Sequence, residues 1–155
     1  MLTIGQAIPD FHLPDQNEIS HTKVDLTGKW SIIYFYPKDD TPGCTTEACT
    51  IAEIYHDFQD LGVSVYGVSK DSPDSHKAFA DKYNLPFTLL SDTNMEMTVA
   101  YGAYKETTTE GNLVRSAQRM TYVINPEGTV TKVYPNVDPA NHAVELLADI
   151  KEFIS

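Results

Sequence analysis

Two cysteines five residues apart, Cys44 and Cys49, are the side chains of this sequence best suited to chemistry. Cys44 closes the segment Pro37-Lys38-Asp39-Asp40-Thr41-Pro42-Gly43, which separates an apolar run from a helical pattern that begins near Thr45. We therefore expect Cys44 on a turn between a strand and the N-terminus of a helix. Unpaired N–H groups and a partial positive charge at that end of a helix favour the thiolate, the nucleophilic form, over the thiol. The pattern predicts thiol redox chemistry.

Composition limits the classes of partner that the chain can have. Its 155 residues predict one domain, residues 1–155, with a core of its own. A formal net charge of −11 argues against nucleic acid and anionic membranes, since both require a basic face. No apolar run approaches the roughly 20 residues that span a bilayer.

The cysteine count bears on compartment and on metal binding. The N-terminal residues lack the pattern of a signal peptide, so we expect a cytoplasmic protein. Reducing systems there keep thiols reduced, so a disulfide should be transient. Two cysteines are too few for a disulfide scaffold or a four-thiolate zinc site, and the histidines show no ligand spacing. No metal and no cofactor are expected.

Alternating strand and helix patterns surround the cysteines. The run 30–36 is apolar at nearly every position, which is typical of a central strand buried on both faces. Further strands are predicted at 63–69, 87–90, 119–124 and 129–134, and helices at 46–61, 73–83, 95–101 and 138–154. Asn125-Pro126-Glu127-Gly128 predicts a hairpin turn, and a second hairpin is expected about Asp15-Gln16-Asn17. The polar segment 105–118 is expected to be an exposed loop.

This order of elements predicts an α/β fold with a central mixed sheet flanked by helices. Parallel strands need helical crossovers, and a terminal hairpin can extend the same sheet. Ligands of such folds bind at the carboxyl ends of the strands. Cys44 follows the end of the predicted central strand, so it lies where a ligand is expected.

The segment from Tyr36 to Cys49 resembles the active site of peroxiredoxins, and most closely that of the PrxQ, or bacterioferritin comigratory protein, subfamily. Pro37, Thr41 and Cys44 match the family signature Pro-x-x-x-Thr-x-x-Cys, and a second cysteine five residues later is a trait of the subfamily. The resemblance continues through 67–72, 79–87, 89–92 and 119–124. It departs at Ala103-Tyr104, where the subfamily often has tryptophan.

The resemblance implies a thioredoxin-like fold and a thiol peroxidase that reduces hydrogen peroxide and organic hydroperoxides. Cys44 would be the peroxidatic cysteine and become a sulfenic acid. Cys49 would resolve it as an intramolecular disulfide, and a thioredoxin-type reductant would restore both thiols. Pro37, Thr41 and an arginine would complete the site. We expect the protein to act as a monomer.

Physical roles can be assigned to these neighbours of the thiol independently of the family. Attack on a peroxide builds negative charge on the departing oxygen, which a hydroxyl, N–H groups and a cation stabilise. Thr41 lies three residues before Cys44, so its hydroxyl can share the pocket, and Pro37 would shield the thiolate and stiffen the turn. The sequence has two arginines, Arg115 and Arg119. Arg119 is preferred because it opens a predicted strand, whereas Arg115 lies in the predicted loop.

Each of these residues also has a structural interpretation. The cysteines could be small buried hydrophobes, and Thr41 and Pro37 could serve only the turn. Arg119 could be a surface ion-pair residue. Glu47 is interpreted as a charge that caps the first turn of the helix, and Asp39-Asp40 as a solvated turn.

Two other classes of protein remain open. A disulfide oxidoreductase or dithiol redox sensor would also carry a reactive cysteine pair, although Cys-x-x-Cys is more usual there. Peroxide turnover distinguishes the enzyme from the sensor. A binding module without catalysis would have no reactive thiolate.

Overall fold

The computed structural model describes residues 1–155 as two layers of helices around one central sheet. The strands are β1 (His12–Pro14), β2 (Ser20–Thr22), β3 (Trp30–Phe35), β4 (Val63–Ser69), β5 (Thr88–Ser91), β6 (Tyr104–Thr109), β7 (Asn112–Ala117), β8 (Met120–Ile124) and β9 (Val130–Tyr134). The helices are α1 (Pro42–Glu53), α2 (Tyr55–Asp60), α3 (Pro73–Tyr83), α4 (Glu96–Ala100) and α5 (His142–Ile154). A 3₁₀ turn, Lys23–Leu26, precedes β3.

The central sheet has the order β5-β4-β3-β8-β9. β3 pairs in parallel with β4 and antiparallel with β8, so it lies at the centre, as its apolar sequence predicts. The β8–β9 hairpin extends the sheet on one side. The predicted mixed α/β sheet is therefore confirmed, and so is the small β1–β2 hairpin.

Side chains of β3 alternate between the two faces of the sheet, as the period of a strand requires. Ile32, Tyr34 and Tyr36 belong to one buried cluster, together with residues of α1, α3 and α5. Ile33 and Phe35 belong to a second cluster, which α4 and the N-terminal segment cover. Both faces are thus buried, which explains why β3 lacks polar alternation.

The helical segment after β3 differs from its prediction at both ends. It begins at Pro42, because proline is favoured at the first helical position, where its missing N–H costs nothing. Cys44 therefore lies inside the first turn and not on the turn before it. The segment is also interrupted at Ile54, whose N–H bonds to the carbonyl of Ile51. This tighter i−3 bond ends α1, and α2 follows.

The predicted loop 105–118 is instead a β-hairpin, β6–β7. Thr109 pairs with Asn112, which leaves Glu110-Gly111 as a two-residue turn with φ of 52° and 80°. Consecutive positive φ values define the type of turn that suits the twist of a hairpin, and threonine favours strands. The expectation of a loop was wrong, because it relied on the polar composition of the segment and overlooked the turn at Glu110-Gly111.

The last helix begins at His142 and not at the predicted Asp138-Pro139. Those two residues form a turn in which the N–H groups of Asn141 and His142 bond to the carbonyl of Asp138. The turn brings Pro139 against the start of α1. No helix of the chain is long and apolar enough to cross a membrane.

Candidate active site

Cys44 lies in the first turn of α1, directly after the carboxyl end of β3. The N–H of Thr45 makes the first helical bond, to the carbonyl of Thr41, so the N–H groups of Gly43 and Cys44 have no partner within the helix. The Cys44 residue is buried, with 2% of its surface exposed. Unpaired N–H groups and the helix dipole therefore act on a thiol that is shielded from bulk water.

Arg119, the residue directly before β8, reaches the sulfur of Cys44. Its Nη1 donates a hydrogen bond to Sγ over 3.3 Å. The contact follows from strand register: Phe35 at the end of β3 pairs with Met120 at the start of β8, so Arg119 lies level with the loop that leads to Cys44. Arg115 lies exposed on β7. The structure thus brings the preferred arginine, and not the other, to the thiol.

Gly43 leaves room for this guanidinium. A Cβ atom at position 43 would lie 3.0 Å from Nη2 of Arg119 and 3.8 Å from Cγ of Pro139. The first of these contacts is tighter than nine in ten real Cβ contacts, so with a side chain here the guanidinium would have to shift by a few tenths of an ångström. Glycine, which has no Cβ, therefore allows the guanidinium to approach the backbone closely without a shift.

Glu47 holds the same arginine from the next turn of α1. Its Oε1 accepts a hydrogen bond from Nη1 of Arg119 over 3.1 Å, and the residue is fully buried. Burial raises the pKa of the Glu47 carboxyl from 4.5 to about 7, even though Arg119 acts to lower it. The interpretation of Glu47 as a charge that caps the first turn was wrong, because the side chain is buried against Arg119. Cys44, Glu47, Ala48 and Ile51 share one helical face, and this spacing was the signal that could have placed Glu47 inward.

Thr41 and Pro37 frame the start of the helix. Thr41 is the N-terminal capping residue of α1, but its side chain accepts no hydrogen bond from an N–H group of the helix, and its hydroxyl donates to the carbonyl of Lys38 over 2.9 Å. Its oxygen lone pairs remain available to accept a hydrogen bond. Pro37 is half-buried at the beginning of the same loop. Both residues lie in the segment that leads to Cys44, and neither makes a hydrogen bond to its sulfur.

Cys49 lies in the same helix as Cys44, and both thiols are free. The helical rise and rotation separate α-carbons five residues apart by roughly 8.6 Å, whereas a disulfide requires less than about 7 Å. The two cysteines therefore cannot bond while α1 is intact. Burial and the nearby charge of Glu53 raise the pKa of the Cys49 thiol, so it stays protonated in this conformation.

Asp39 is buried in a hydrogen-bonded cluster behind the loop, contrary to its interpretation as part of a solvated turn. Its carboxylate accepts from the hydroxyl of Tyr36 over 2.6 Å and from that of Ser75 over 2.8 Å. Nδ1 of His76 lies 2.7 Å from Oδ2 of Asp39, and both side chains are almost fully buried. Leaving such groups unpaired would be costly, so α3 holds this part of the loop firmly.

Asp40 is tied to the other end of α3. It has a φ of 55°, and its carboxylate accepts from Lys82 and from Tyr83, each over 2.8 Å. These contacts are exposed, so they are screened by solvent. Asp39 and Asp40 thus anchor the loop to α3, Asp39 through buried contacts and Asp40 through exposed ones.

Two other features of the molecule have some properties of a binding site. Asp39, Asp71 and His76 place ligand-type atoms within 4.8 Å of one another, but hydrogen bonds within the cluster already occupy these atoms, so the cluster carries no metal assignment. The largest surface cavity, about 570 Å³, lies between the β1–β2 turn and α3 and contains none of the residues around Cys44. The chemistry of Cys44 and Arg119 identifies the site better than cavity size does.

Comparison with known proteins gives a consistent result. Residues 4–133 match the AhpC/TSA family. Peroxiredoxin Bcp of Bacillus subtilis is 36% identical over 151 residues, which cover 97% of this chain and 96% of that protein. A mutant of PrxQ from Xylella fastidiosa superposes with a TM-score of 0.93 at 30% identity, covering 100% of this chain and 99% of that one.

A further solved structure is the bacterioferritin comigratory protein of Xanthomonas campestris, which was described in connection with its alkyl peroxide reduction activity. It has a TM-score of 0.91 and 33% identity, and the match covers 99% of this chain and 100% of that one. The thioredoxin-like fold and the family resemblance of the active-site segment are thereby confirmed. The chain belongs to the AhpC/TSA family, as a peroxiredoxin of the Q, or bacterioferritin comigratory protein, type.

Proposed function

We propose that this protein is a thiol peroxidase that reduces hydrogen peroxide and organic hydroperoxides, with Cys44 as its peroxidatic cysteine. The observation that carries the proposal is the contact of Arg119 with the sulfur of Cys44 at the N-terminus of α1. A permanently charged guanidinium and free N–H groups stabilise a thiolate there. The thiolate attacks one peroxide oxygen: the S–O bond forms, the O–O bond breaks, and negative charge moves onto the departing oxygen.

The surroundings of Cys44 suit this charge movement. Arg119 has further N–H donors beyond the one on Cys44, and such donors stabilise developing negative charge in the transition state. The oxygen of Thr41 can accept a hydrogen bond from the peroxide while its proton stays on the carbonyl of Lys38. Pro37 stiffens the loop and limits solvent around the thiolate. These are the roles that we assign to the residues.

Cys49 completes the cycle as the resolving cysteine. Its sulfur attacks the sulfenic acid on Cys44, which forms a disulfide and releases water. The separation of the two α-carbons requires the start of α1 to unwind first. Unwinding also removes Cys49 from the burial that raises the pKa of its thiol, so the thiol ionises more readily when it is needed.

A thioredoxin-type protein then reduces the disulfide, by attack of its own thiolate on one of the two sulfurs. Unwinding of α1 would expose the disulfide to such a partner. We further propose that residues 1–155 form one domain, act as a monomer and work in the cytoplasm, where reductants of this type maintain thiols.

A coupled assay tests the function. Purified protein is given a thioredoxin system and several peroxides, and consumption of the nicotinamide reductant is followed. The wild type should turn over many times, and Cys44→Ser should be inactive because its hydroxyl does not ionise near neutral pH. Consumption of a single equivalent, with no turnover by any reductant, would indicate a redox sensor instead.

A further inference from the structure

Glu47 is a buried carboxyl group to which the proposed reaction gives no role beyond holding Arg119. It follows Cys44 by one turn on the inner face of α1. Oε1 contacts Arg119, but Oε2 is buried without any hydrogen-bond partner. An ionised carboxylate that is buried here would lose its hydrogen bonds to water, and the single contact with Arg119 only partly replaces them. Its surroundings therefore favour the protonated form of Glu47.

The guanidinium of Arg119 is the one cation in contact with both Cys44 and Glu47. Nη1 of Arg119 lies 3.3 Å from Sγ of Cys44 and 3.1 Å from Oε1 of Glu47. If both acids were ionised, two negative charges would share one positive charge in a pocket largely closed to water. Neighbouring acids in such a site do not ionise independently, because each anion disfavours the other. The cluster is neutral when it retains one proton.

The other elements around Glu47 supply no second cation. Tyr34 of β3 is fully buried, and burial, followed by the charges of Glu47 and Cys44, raises its pKa well above the usual value, so it stays neutral. On α5, the ring nitrogens of His142 face Thr121 and Glu145. Asp39 on the loop is occupied by its own hydrogen bonds. Arg119 is the charge for which Cys44 and Glu47 compete.

We propose that Cys44 and Glu47 share one proton in the reduced protein, and that Glu47 gives this proton up when Cys44 is oxidised. The inference rests on the proposed function and assigns Glu47 as the proton reserve of the same site. Burial raises the pKa of Glu47 to about 7, which agrees with a proton that is held near neutral pH and can still be released.

The reaction balances without a proton from solvent. Before it, the site holds a thiolate, a guanidinium and a carboxylic acid, together with a neutral peroxide. The sulfur gives two electrons to the peroxide, an S–O bond forms and the O–O bond breaks. The departing oxygen is neutralised by the proton that Glu47 releases. The site then holds a sulfenic acid, a guanidinium and a carboxylate, so its net charge is unchanged.

Proton counting in a single turnover tests this inference. Cys49→Ser confines the reaction to the sulfenic acid, and a pH indicator in weakly buffered solution near neutral pH reports proton uptake on addition of hydrogen peroxide. Cys49→Ser should show thiolate absorbance before the reaction and take up nearly no proton. Glu47→Gln in the same background retains an acceptor for Arg119 but has no proton to give, so it should take up about one proton per thiolate oxidised. Glu53→Gln, an exposed carboxyl of the same helix, is the matched control and should behave like Cys49→Ser alone.

If Cys49→Ser takes up the same number of protons with and without Glu47→Gln, whether that number is zero or one per thiolate, the two residues do not share a proton. Should the glutamine variant not fold, infrared difference spectra of Cys49→Ser decide the matter. The carbonyl band of a protonated carboxyl should be present before oxidation and disappear on oxidation. A band that remains after oxidation, or that is absent already before it, would contradict the proposal. Addition of one oxygen to Cys44, measured by mass in the same samples, tests the peroxidase function separately from the proton count.

Discussion

At the scale of single residues, the proposed reactivity depends on the guanidinium of Arg119, which contacts two acidic groups. Arg119 contacts the sulfur of Cys44 and the carboxyl of Glu47. Because Glu47 is buried, its contact holds the guanidinium in place beside the sulfur. Burial acts to lower the pKa of Arg119, but the hydrogen bonds to Cys44 and Glu47 and the negative charge of this pair raise it above the usual value. The guanidinium is thus charged at every pH of interest.

Replacement of Arg119 by alanine should slow the reaction of the reduced protein with peroxide. Loss of a donor at developing charge costs on the order of a hundredfold in rate in other enzymes. Arg115→Ala is the matched control, because Arg115 is exposed on β7, and its rate should equal that of the wild type. Stopped-flow measurement of the peroxide reaction checks both variants, and a slow Arg115→Ala with a normal Arg119→Ala would show that the arginine was wrongly chosen.

Much of this site could be predicted from residue types and spacing. The approach of Arg119 to the sulfur of Cys44 agrees with the expectation from the sequence. The catalytic roles of Cys44, Cys49, Thr41, Pro37 and Arg119 stay predictions. Glu47 was missed because a charged residue near a helix start usually faces water, and only its helical spacing from Cys44 indicated otherwise. Asp39 could not be found at all, since its partner His76 lies 37 residues away and only tertiary packing brings them together.

At the scale of elements, the proposed cycle requires α1 to be wound for one step and unwound for the next. Wound, it supplies the N-terminal N–H groups and keeps Cys44 against Arg119. Intact helical geometry separates the two cysteines too far for a disulfide. The helix carries neither an acidic residue in its first turn nor a basic residue in its last, and it lacks a side-chain cap. Weak terminal stabilisation of this kind lowers the cost of unwinding.

Amide hydrogen exchange should reveal this unwinding. Residues 45–51 should exchange faster in the disulfide form than in the reduced form, because their helical hydrogen bonds are broken. Cys49→Ser provides the control: it should react once with peroxide and then remain as sulfenic acid or overoxidise, with the helix still protected. Equal protection of the segment in both redox states, with the disulfide confirmed by mass, would refute the unwinding step.

The loop before α1 should stay fixed while the helix changes, because Asp39 anchors it to α3. Asp39→Ala would leave His76, Ser75 and the hydroxyl of Tyr36 without their acceptor in a buried cluster. We expect the free energy of unfolding in urea to fall by roughly 3 kcal/mol. Asp40→Ala removes the adjacent, exposed contacts and should change stability far less. Similar effects of the two substitutions would mean that the buried cluster is not the anchor.

The β6–β7 hairpin shows where element prediction reached its limit. Its polar, threonine-rich sequence predicted a loop, yet Glu110-Gly111 adopts a tight hairpin turn. Glutamate is uncommon at positive φ, so the turn residues gave only half of the usual signal. By contrast, β3 was predicted correctly because burial on both faces leaves a continuous apolar run.

At the scale of the whole molecule, Glu47 should make stability depend on pH. The pKa of its carboxyl is about 7 in the folded chain and 4.5 as the reference value for an unfolded one. Between these values the folded state binds more protons, so the free energy of unfolding should decrease as pH rises from 4.5 to 7. The total decrease from this group is on the order of 3 kcal/mol.

Urea unfolding of the wild type and Glu47→Gln across this pH range checks the expectation. The variant cannot titrate at position 47, so its stability relative to the wild type should rise steadily with pH. Groups that do not interact with Glu47 contribute equally to both proteins and cancel in the difference. A constant difference between the two proteins would show that Glu47 has the same proton affinity folded and unfolded.

The proposed cycle depends on oxidation of Cys44 by peroxide and on its resolution by Cys49 within the same chain. The most direct test adds one equivalent of hydrogen peroxide to the reduced protein and maps the products by peptide mass spectrometry. We expect a Cys44–Cys49 disulfide in the wild type, an added oxygen on Cys44 in Cys49→Ser, and no rapid oxidation in Cys44→Ser. Peroxide consumption by Cys44→Ser at the wild-type rate, with oxidation at Cys49, would contradict this cycle.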